Sequence, residues 1–151
     1  SKRKMYCVDS GINFYEYDID VYEKLLRKLK QSLILHNLPQ IYFCNAGTIL
    51  SRENFINQNF ISTELFVFVD DELLNDKLIR TIAPNTYLCI YCDKFEKEIE
   101  YAKRLLAAAK EKGFTIAGDY ICEVITDLPV FADNERAMFF RLQVPIEFTG
   151  K

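Results

Sequence analysis

The chain has 151 residues, half of them hydrophobic, and a formal net charge of −3. A chain of this length and composition can bury the core of one domain without disulfides or a structural metal. The negative balance disfavours binding to nucleic acid, which depends on lysine and arginine clustered against phosphates.

The first half of the chain predicts a strand, a helix and two further strands. Residues 5–17 are rich in aromatic and β-branched side chains and predict one bent or broken strand. Asp20 and Glu23 form a capping box that is expected to begin the helix. Residues 41–51 and 61–69 predict the two strands, with a polar stretch between them.

The second half repeats this order of elements. Residues 78–92 predict a strand with a turn at Pro84, and Asp93 is expected to cap a helix that runs to Lys112. Residues 115–126 and 137–148 predict the closing strands, joined by a loop through Pro129.

The second helix is amphipathic by its spacing. Its apolar stripe is predicted to consist of Phe95, Ile99, Ala102, Leu105, Leu106 and Ala109. Its opposite, solvent-facing side is predicted to carry Glu96, Glu98, Lys103 and Lys110.

The recurrence of strand, helix, strand, strand indicates one architecture used twice. In both halves, the strand after the helix leads to a glycine, Gly47 or Gly118, as at a bulge or a close approach of backbone. We therefore predict a single α+β domain over residues 1–151, with repeats at about 5–72 and 77–149. Its antiparallel sheet should carry two helices on one face and leave the other face free as a cleft.

Three segments carry a resemblance to a known family. They are TIAPNTYLCIYC at 81–92, GDYICEVITDLP at 118–129 and FFRLQVPIEF at 139–148. In this order they resemble the GyrI-like effector-binding domain, found at the C-terminus of MerR-type and some AraC-type transcription regulators. GTILSRENF at 47–55 is a looser match to the first repeat of that family.

The resemblance implies a pocket for lipophilic, cationic or zwitterionic organic molecules. In the family an aromatic cleft holds a carboxylate, and the matching residue is Glu123; spacing alone would make Glu123 a solvent-facing strand residue. The further candidates for ligand contact are Tyr87, Tyr91, Tyr42, Ile125, Met138 and Phe140, and each aromatic could instead be helix-facing core. Arg141 stands where relatives often have an acidic residue, and its guanidinium could neutralise Glu123 or admit an anionic ligand.

The resemblance also implies a role in regulation. MerR-type regulators carry a winged helix-turn-helix and a long dimerising helix, and this chain shows neither motif. It is therefore expected to be the effector domain of a longer, homodimeric bacterial regulator, which contacts DNA only through a region outside this sequence, or a free-standing GyrI-like protein.

Little in the sequence points to catalysis, metals or cofactors. His36 is the one histidine, the glycines form no phosphate-binding loop, and Cys89 and Cys92 should point to opposite faces of a strand. Five cysteines in apolar segments and the lack of a spanning or signal segment predict a cytoplasmic, reduced protein that is not an enzyme and binds no metal or cofactor.

Two alternatives from other classes remain. Some GyrI-like proteins resemble hydrolases that use a pocket Glu with a Tyr, here Glu123 with Tyr120 or Tyr87. The other alternative is a protein-binding module of the gyrase-inhibitor kind.

Overall fold

The computed structural model describes residues 3–35, 46–69, 79–82, 85–129 and 136–148. These residues form a mixed α/β fold with one eight-stranded antiparallel sheet and three α-helices. The strands are β1 (Arg3–Asp9), β2 (Ala46–Leu50), β3 (Glu64–Val69), β4 (Ile79–Ile82), β5 (Thr86–Cys92), β6 (Phe114–Ile116), β7 (Tyr120–Pro129) and β8 (Arg136–Phe148). The helices are α1 (Ile19–Leu35), α2 (Arg52–Ile56) and α3 (Glu98–Glu111), and two short 3₁₀ helices lie at Phe14–Glu16 and Phe95–Lys97.

The strands lie in the order β4-β1-β3-β2-β7-β8-β5, and β6 pairs with β8 outside this path. β2 and β7 therefore join the two halves of the chain at the centre of the sheet. Gly47 lies opposite Glu123 in this pair. A Cβ atom at Gly47 would lie 2.0 Å from the carbonyl oxygen of Cys122, so the predicted close approach of backbone is confirmed.

One face of the sheet packs against all three helices. The largest cluster of buried side chains on this face joins strand residues such as Tyr120 and Leu142 to Leu105 of α3, Tyr22 of α1 and Phe55 of α2. The ring of Phe55 stacks on that of Tyr120 at a centroid distance of 5.0 Å. Each large apolar side chain buried here contributes roughly 1.5–3 kcal/mol through its removal from water.

The opposite face carries a smaller cluster made only of strand residues. Its buried members are Met5, Cys7, Ile49, Phe66 and Ile121. No described helical residue belongs to this cluster, so we call this side of the sheet the helix-free face. Side chains alternate between the two faces along each strand, which explains why Ile121 and its neighbour Cys122 belong to different clusters.

Several predicted boundaries are corrected in the first half. The strand predicted over residues 5–17 ends at Asp9, and the 3₁₀ helix follows because the side chain of Asn13 accepts a hydrogen bond from the Tyr15 amide. Asp18, not Asp20, caps α1, since its carboxylate accepts from the amides of Asp20 and Val21. The polar stretch contains the unpredicted α2, and residues 41–45 of the predicted strand lie outside the described part.

The start of the second helix also differs from the prediction. The 3₁₀ helix precedes α3, and Lys97, at the N-cap of α3, makes no capping hydrogen bond through its side chain. Asp93 is therefore not the cap of α3. Gly113 follows the helix with a φ of +73°. Pro129 ends β7 and does not lie in the predicted loop. Within the described residues, no helix is long and apolar enough to cross a membrane.

Candidate functional site

Glu123 lies on the helix-free face and is 4 % exposed. The paired strands place Arg141 directly opposite it and Gln143 opposite Ile121. Arg141 donates to Oε1 of Glu123 at 2.9 Å, and the amide of Gln143 donates to the same oxygen at 3.1 Å. Glu123 is thus a buried, paired carboxylate and not a solvent-facing one.

Arg141 is the positive partner in this cluster, and its side chain is about one third exposed. The hydrogen bond to Glu123 raises the pKa of the Arg141 guanidinium above its ordinary value, so the guanidinium keeps its positive charge near neutral pH. The Nε atom of Arg141 is buried without a hydrogen-bond partner among the described residues. An orphan donor of this kind is costly unless something satisfies it, and a ligand acceptor would do so.

A cavity of about 230 Å³ opens on the same helix-free face, and neither Glu123 nor Arg141 is among the residues that line it. Its apolar walls include Met5, Ile49, Ile121 and Pro145, and Tyr87 lines it from the edge strand. Its polar lining includes Arg80 and Asp119. The cavity therefore combines apolar walls with a few charged groups, the usual make-up of a small-molecule site.

The rim of the cavity on the β5 side carries cationic and aromatic groups together. The guanidinium carbon of Arg3 lies 5.1 Å from the ring centroid of Tyr87 and 4.9 Å from that of Phe68. Tyr91, two residues beyond Cys89 on the same strand, is 61 % exposed. Exposed aromatic surface of this kind is available for stacking on a flat ligand, although Tyr91 is not among the residues that line the cavity.

The structure brings some predicted site residues together and separates others. Glu123, Tyr87 and Tyr91 share the helix-free face. Ile125 lies at a register shift between Val124 and Thr126 and is 37 % exposed. Tyr42 lies outside the described residues, and so does the side chain of Met138.

The predicted placement of Phe140 in the cleft is wrong. Phe140 is 2 % exposed and belongs to the core on the helix-packed face, where its ring lies 6.3 Å from that of Phe95. The alternation of β8 places Arg141 on the helix-free face and hence Phe140 on the other. Phe140 therefore packs beneath α3 and does not line the cleft.

Sequence reasoning missed the residues that β1 and β4 bring to the cavity. Arg80 pairs across the two strands with Met5, and both line the cavity. Alternation along residues 5–8 could have indicated Met5 and Cys7 as one face. No local signal could have indicated Arg80, because its position depends on pairing between strands more than 70 residues apart.

A second carboxylate, Glu98, was predicted to face solvent and is instead buried, with 8 % of its surface exposed. The hydroxyl of Tyr15 donates to its Oε2 at 2.8 Å, and that of Tyr120 donates to the same atom at 2.9 Å. Burial raises the pKa of Glu98, although the two hydroxyls favour the ionised form. Glu98 therefore joins the 3₁₀ helix, α3 and β7 on the helix-packed face.

This arrangement separates Glu123 from Tyr120, one of the two tyrosines considered as its catalytic partner. Tyr120 is fully buried on the helix-packed face and bonded to Glu98, whereas Glu123 faces the other way. Among the described residues, no group of three or more His, Cys, Asp or Glu side chains is arranged to hold a metal ion. Cys89 is exposed and Cys92 is buried, which confirms that this spacing places the two thiols on opposite faces.

The helix-free face thus holds a cavity, a hydrogen-bonded Glu123–Arg141 pair, the half-buried Tyr87 and the exposed Tyr91 within one sheet surface. No protein family model, curated protein or solved structure matches this chain. Its function is therefore inferred from the geometry of this face together with the motif resemblance.

Proposed function

We propose that the chain is the effector-binding domain of a bacterial transcription regulator and takes a small lipophilic molecule on the helix-free face. The observation that carries the proposal is the cavity of about 230 Å³ lined by Tyr87, Ile121 and Arg80. A face that no described helix covers, yet that holds buried apolar side chains and charged groups, suits ligand binding better than structural packing alone.

The strand order supports the two-repeat architecture that such domains have. The first-half strands lie as β1-β3-β2 and the second-half strands as β7-β8-β5. If β5 corresponds to β1, β7 to β2 and β8 to β3, the two triplets follow the same order outward from the β2–β7 junction. A pseudo-two-fold axis at that junction would relate the halves in this way.

The charge of the ligand follows from the pairing of Glu123. A lone carboxylate would favour a simple cation, but Arg141 already neutralises Glu123 across a distance of 2.9 Å. A zwitterion offers a positive group to Glu123 and an acceptor to Arg141, whose Nε has no partner among the described residues. We therefore propose an aromatic zwitterion as the preferred class, with simple cations binding more weakly.

Ligand binding would act on transcription through an attached DNA-binding region in a homodimeric regulator. Such coupling requires that the ligand binds one conformation of the regulator more tightly than another. β7 is the element through which this difference would pass, because it carries Glu123 and joins the two halves of the sheet through β2.

A set of three compounds of nearly equal size tests the proposal. They are 4-(dimethylaminomethyl)benzoate, which is a zwitterion, its cationic methyl ester, and the anion 4-isobutylbenzoate. Each is titrated into the ¹⁵N-labelled chain, and amide shifts in two-dimensional NMR spectra locate the binding face. We expect saturable shifts at Tyr87, Ile121 and Arg141. The zwitterion should bind at least about tenfold more tightly than either the cationic ester or the anion.

One matched pair of variants and one charge variant make this test specific. Tyr87→Ala removes a cavity wall, and Tyr101→Ala, on α3, is the matched control that should leave affinity unchanged. Glu123→Gln should reduce the preference for the zwitterion over the anion. Absence of shifts on the helix-free face with all three compounds would refute the proposal, and conversion of the methyl ester to the zwitterion would favour the hydrolase alternative.

A further inference from the structure

A second cavity lies on the helix-packed side, where the N-terminal ends of α1 and α3 approach each other. Its volume is about 330 Å³, which is within the range of small-molecule sites. It is lined from the first half of the chain by residues of the 3₁₀ helix and the start of α1, and from the second half by residues of the other 3₁₀ helix and the start of α3.

Aromatic rings make up much of its wall. Phe14, Tyr15, Tyr17 and Phe95 all line the cavity. Phe14 and Tyr15 contact each other at a centroid distance of 4.8 Å with their planes tilted by 45°. The faces of such rings carry partial negative charge, and several rings around one space are the usual means of holding a quaternary ammonium group.

The charged groups that line the same space are acidic. They are Glu98, Asp18 and Glu96. Glu98 is buried and holds its two hydroxyl donors, which supply no positive charge. Asp18 and Glu96 are exposed, and no lysine or arginine is among the described residues that line the cavity.

Two helix N-termini at the cavity act against this negative charge. Each is equivalent to roughly half a positive charge, so α1 and α3 together supply about one. Three carboxylates line the cavity against these two partial charges, and Asp18 already accepts the hydrogen bonds of the α1 terminus. The acidic groups therefore outnumber the positive ends of the helices, which favours a cation and disfavours an anion.

We propose that this cavity is a second binding site and that it takes a small organic cation, such as a quaternary or tertiary ammonium compound with an aromatic group. The site lies on the face opposite Glu123 and Arg141, so it does not depend on the function proposed for the helix-free face. Glu98 supplies the buried charge, and Phe14, Tyr15 and Phe95 supply ring faces.

Benzyltrimethylammonium is the probe, and neopentylbenzene is its neutral counterpart of the same shape. Titration of the ¹⁵N-labelled full chain should move the amide signals of Tyr15, Tyr17 and Glu98 at lower concentrations than those of Tyr87 and Arg141. The cation should bind at least about tenfold more tightly than the neutral compound, because both bury similar apolar area.

The charge requirement is tested with Asp18→Asn combined with Glu96→Gln. Both residues are exposed, and Asn is as effective as Asp at a helix N-cap, so this variant should fold. It should bind the cation at least about tenfold more weakly than the wild type does. The matched control, Asp93→Asn with Glu111→Gln, removes the same charge from exposed positions outside the cavity and should bind like the wild type.

Three outcomes would overturn the proposal: equal affinity for the cation and its neutral counterpart, equal weakening in the two double variants, or shifts confined to the helix-free face. None of these bears on whether the zwitterion binds beside Glu123. The two proposals therefore fail separately.

Discussion

Replacing Tyr120 by Phe removes one hydroxyl from the Glu98 cluster and keeps the ring that stacks on Phe55. Glu98 then loses a hydrogen bond of 2.9 Å in a site where little water is present to replace it. Hydrogen bonds to charged groups contribute roughly 1.5–3 kcal/mol, so we expect Tyr120→Phe to lower the free energy of unfolding by about 2 kcal/mol. In a chain of this size that corresponds to a fall in Tm of about 4–8 °C.

The measurement is urea unfolding followed by far-ultraviolet circular dichroism near neutral pH. Wild type and variant are compared with the same slope of unfolding free energy against urea concentration. Tyr17→Phe is the control, because Tyr17 is 49 % exposed and should change stability by less than about 0.5 kcal/mol. If Tyr120→Phe lowers the free energy of unfolding by no more than Tyr17→Phe does, the hydroxyl of Tyr120 does not stabilise Glu98 and the reasoning is refuted.

Tyr15→Phe extends the same test, since Tyr15 donates to the same oxygen, Oε2 of Glu98. Each single variant leaves Glu98 one donor, whereas the double variant leaves neither hydroxyl. Glu98 is then expected to take up a proton instead of remaining charged, which limits the further loss. The two costs should therefore add to more than the cost of the double variant, a non-additivity that a double-mutant cycle measures.

Three further predictions concern a buried glycine, the pH dependence of stability and the reactivity of the thiols. Gly47→Ala forces a Cβ to within 2.0 Å of a backbone oxygen and should destabilise by about 3 kcal/mol or more in urea unfolding, whereas Gly118→Ala meets only a proline ring carbon at 2.9 Å and should cost less. Burial raises the pKa of Glu98 above 4.5, so the contribution of Glu98 to stability is present below about pH 4.5 and is lost as the pH rises through the folded-state pKa. Glu98→Gln should remove this loss of stability, which unfolding curves measured from about pH 4 to 7 would show. Cys89 is the one exposed thiol among the described cysteines, so Cys89→Ser should abolish the fast phase that these cysteines give in thiol labelling. Cys7 should react slowly, because burial raises the pKa of its thiol to about 11.

Local patterns predicted the elements of the fold well where one face of an element is apolar. Alternation placed Ile121 and Glu123 on one side of β7 and Cys122 on the other, and the structure confirms this. Helical spacing likewise predicted the buried residues Ala102, Leu105 and Leu106 of α3, within a stripe predicted correctly at most positions. These predictions succeed because side-chain direction follows from the backbone repeat alone.

Glu98 shows where the same reasoning fails. Its position next to Ile99 on an amphipathic helix suggests solvent exposure, since an unpaired carboxylate is rarely buried. Its burial is stabilised by hydroxyls from Tyr15 and Tyr120, which lie 83 residues before it and 22 residues after it. No sequence window contains both donors and the acceptor, so a polar cluster of this kind is invisible to periodicity.

The cleft was predicted only in part for a similar reason. The position of Glu123 came from motif resemblance, but whether it is free or paired depends on register, and β8 places Arg141 opposite it. Phe140, the residue before Arg141, was a candidate for the cleft with a helix-facing core position as the alternative, and it lies in the core. A shift of one residue in a strand exchanges the two faces, so site residues cannot be assigned until the register is known.

β7 gives the two faces of one small domain different chemistry. Tyr120 points to the helices and bonds to Glu98, and Ile121, the next residue, lines the cavity of the helix-free face. On that face Glu123 is paired with Arg141, so we expect a ligand that carries both charges to be favoured. On the helix-packed face Glu98 accepts from two neutral hydroxyls, so we expect a cation to be favoured there. The sheet keeps these two environments apart, and a variant on one face should alter binding on the other only if β7 itself moves.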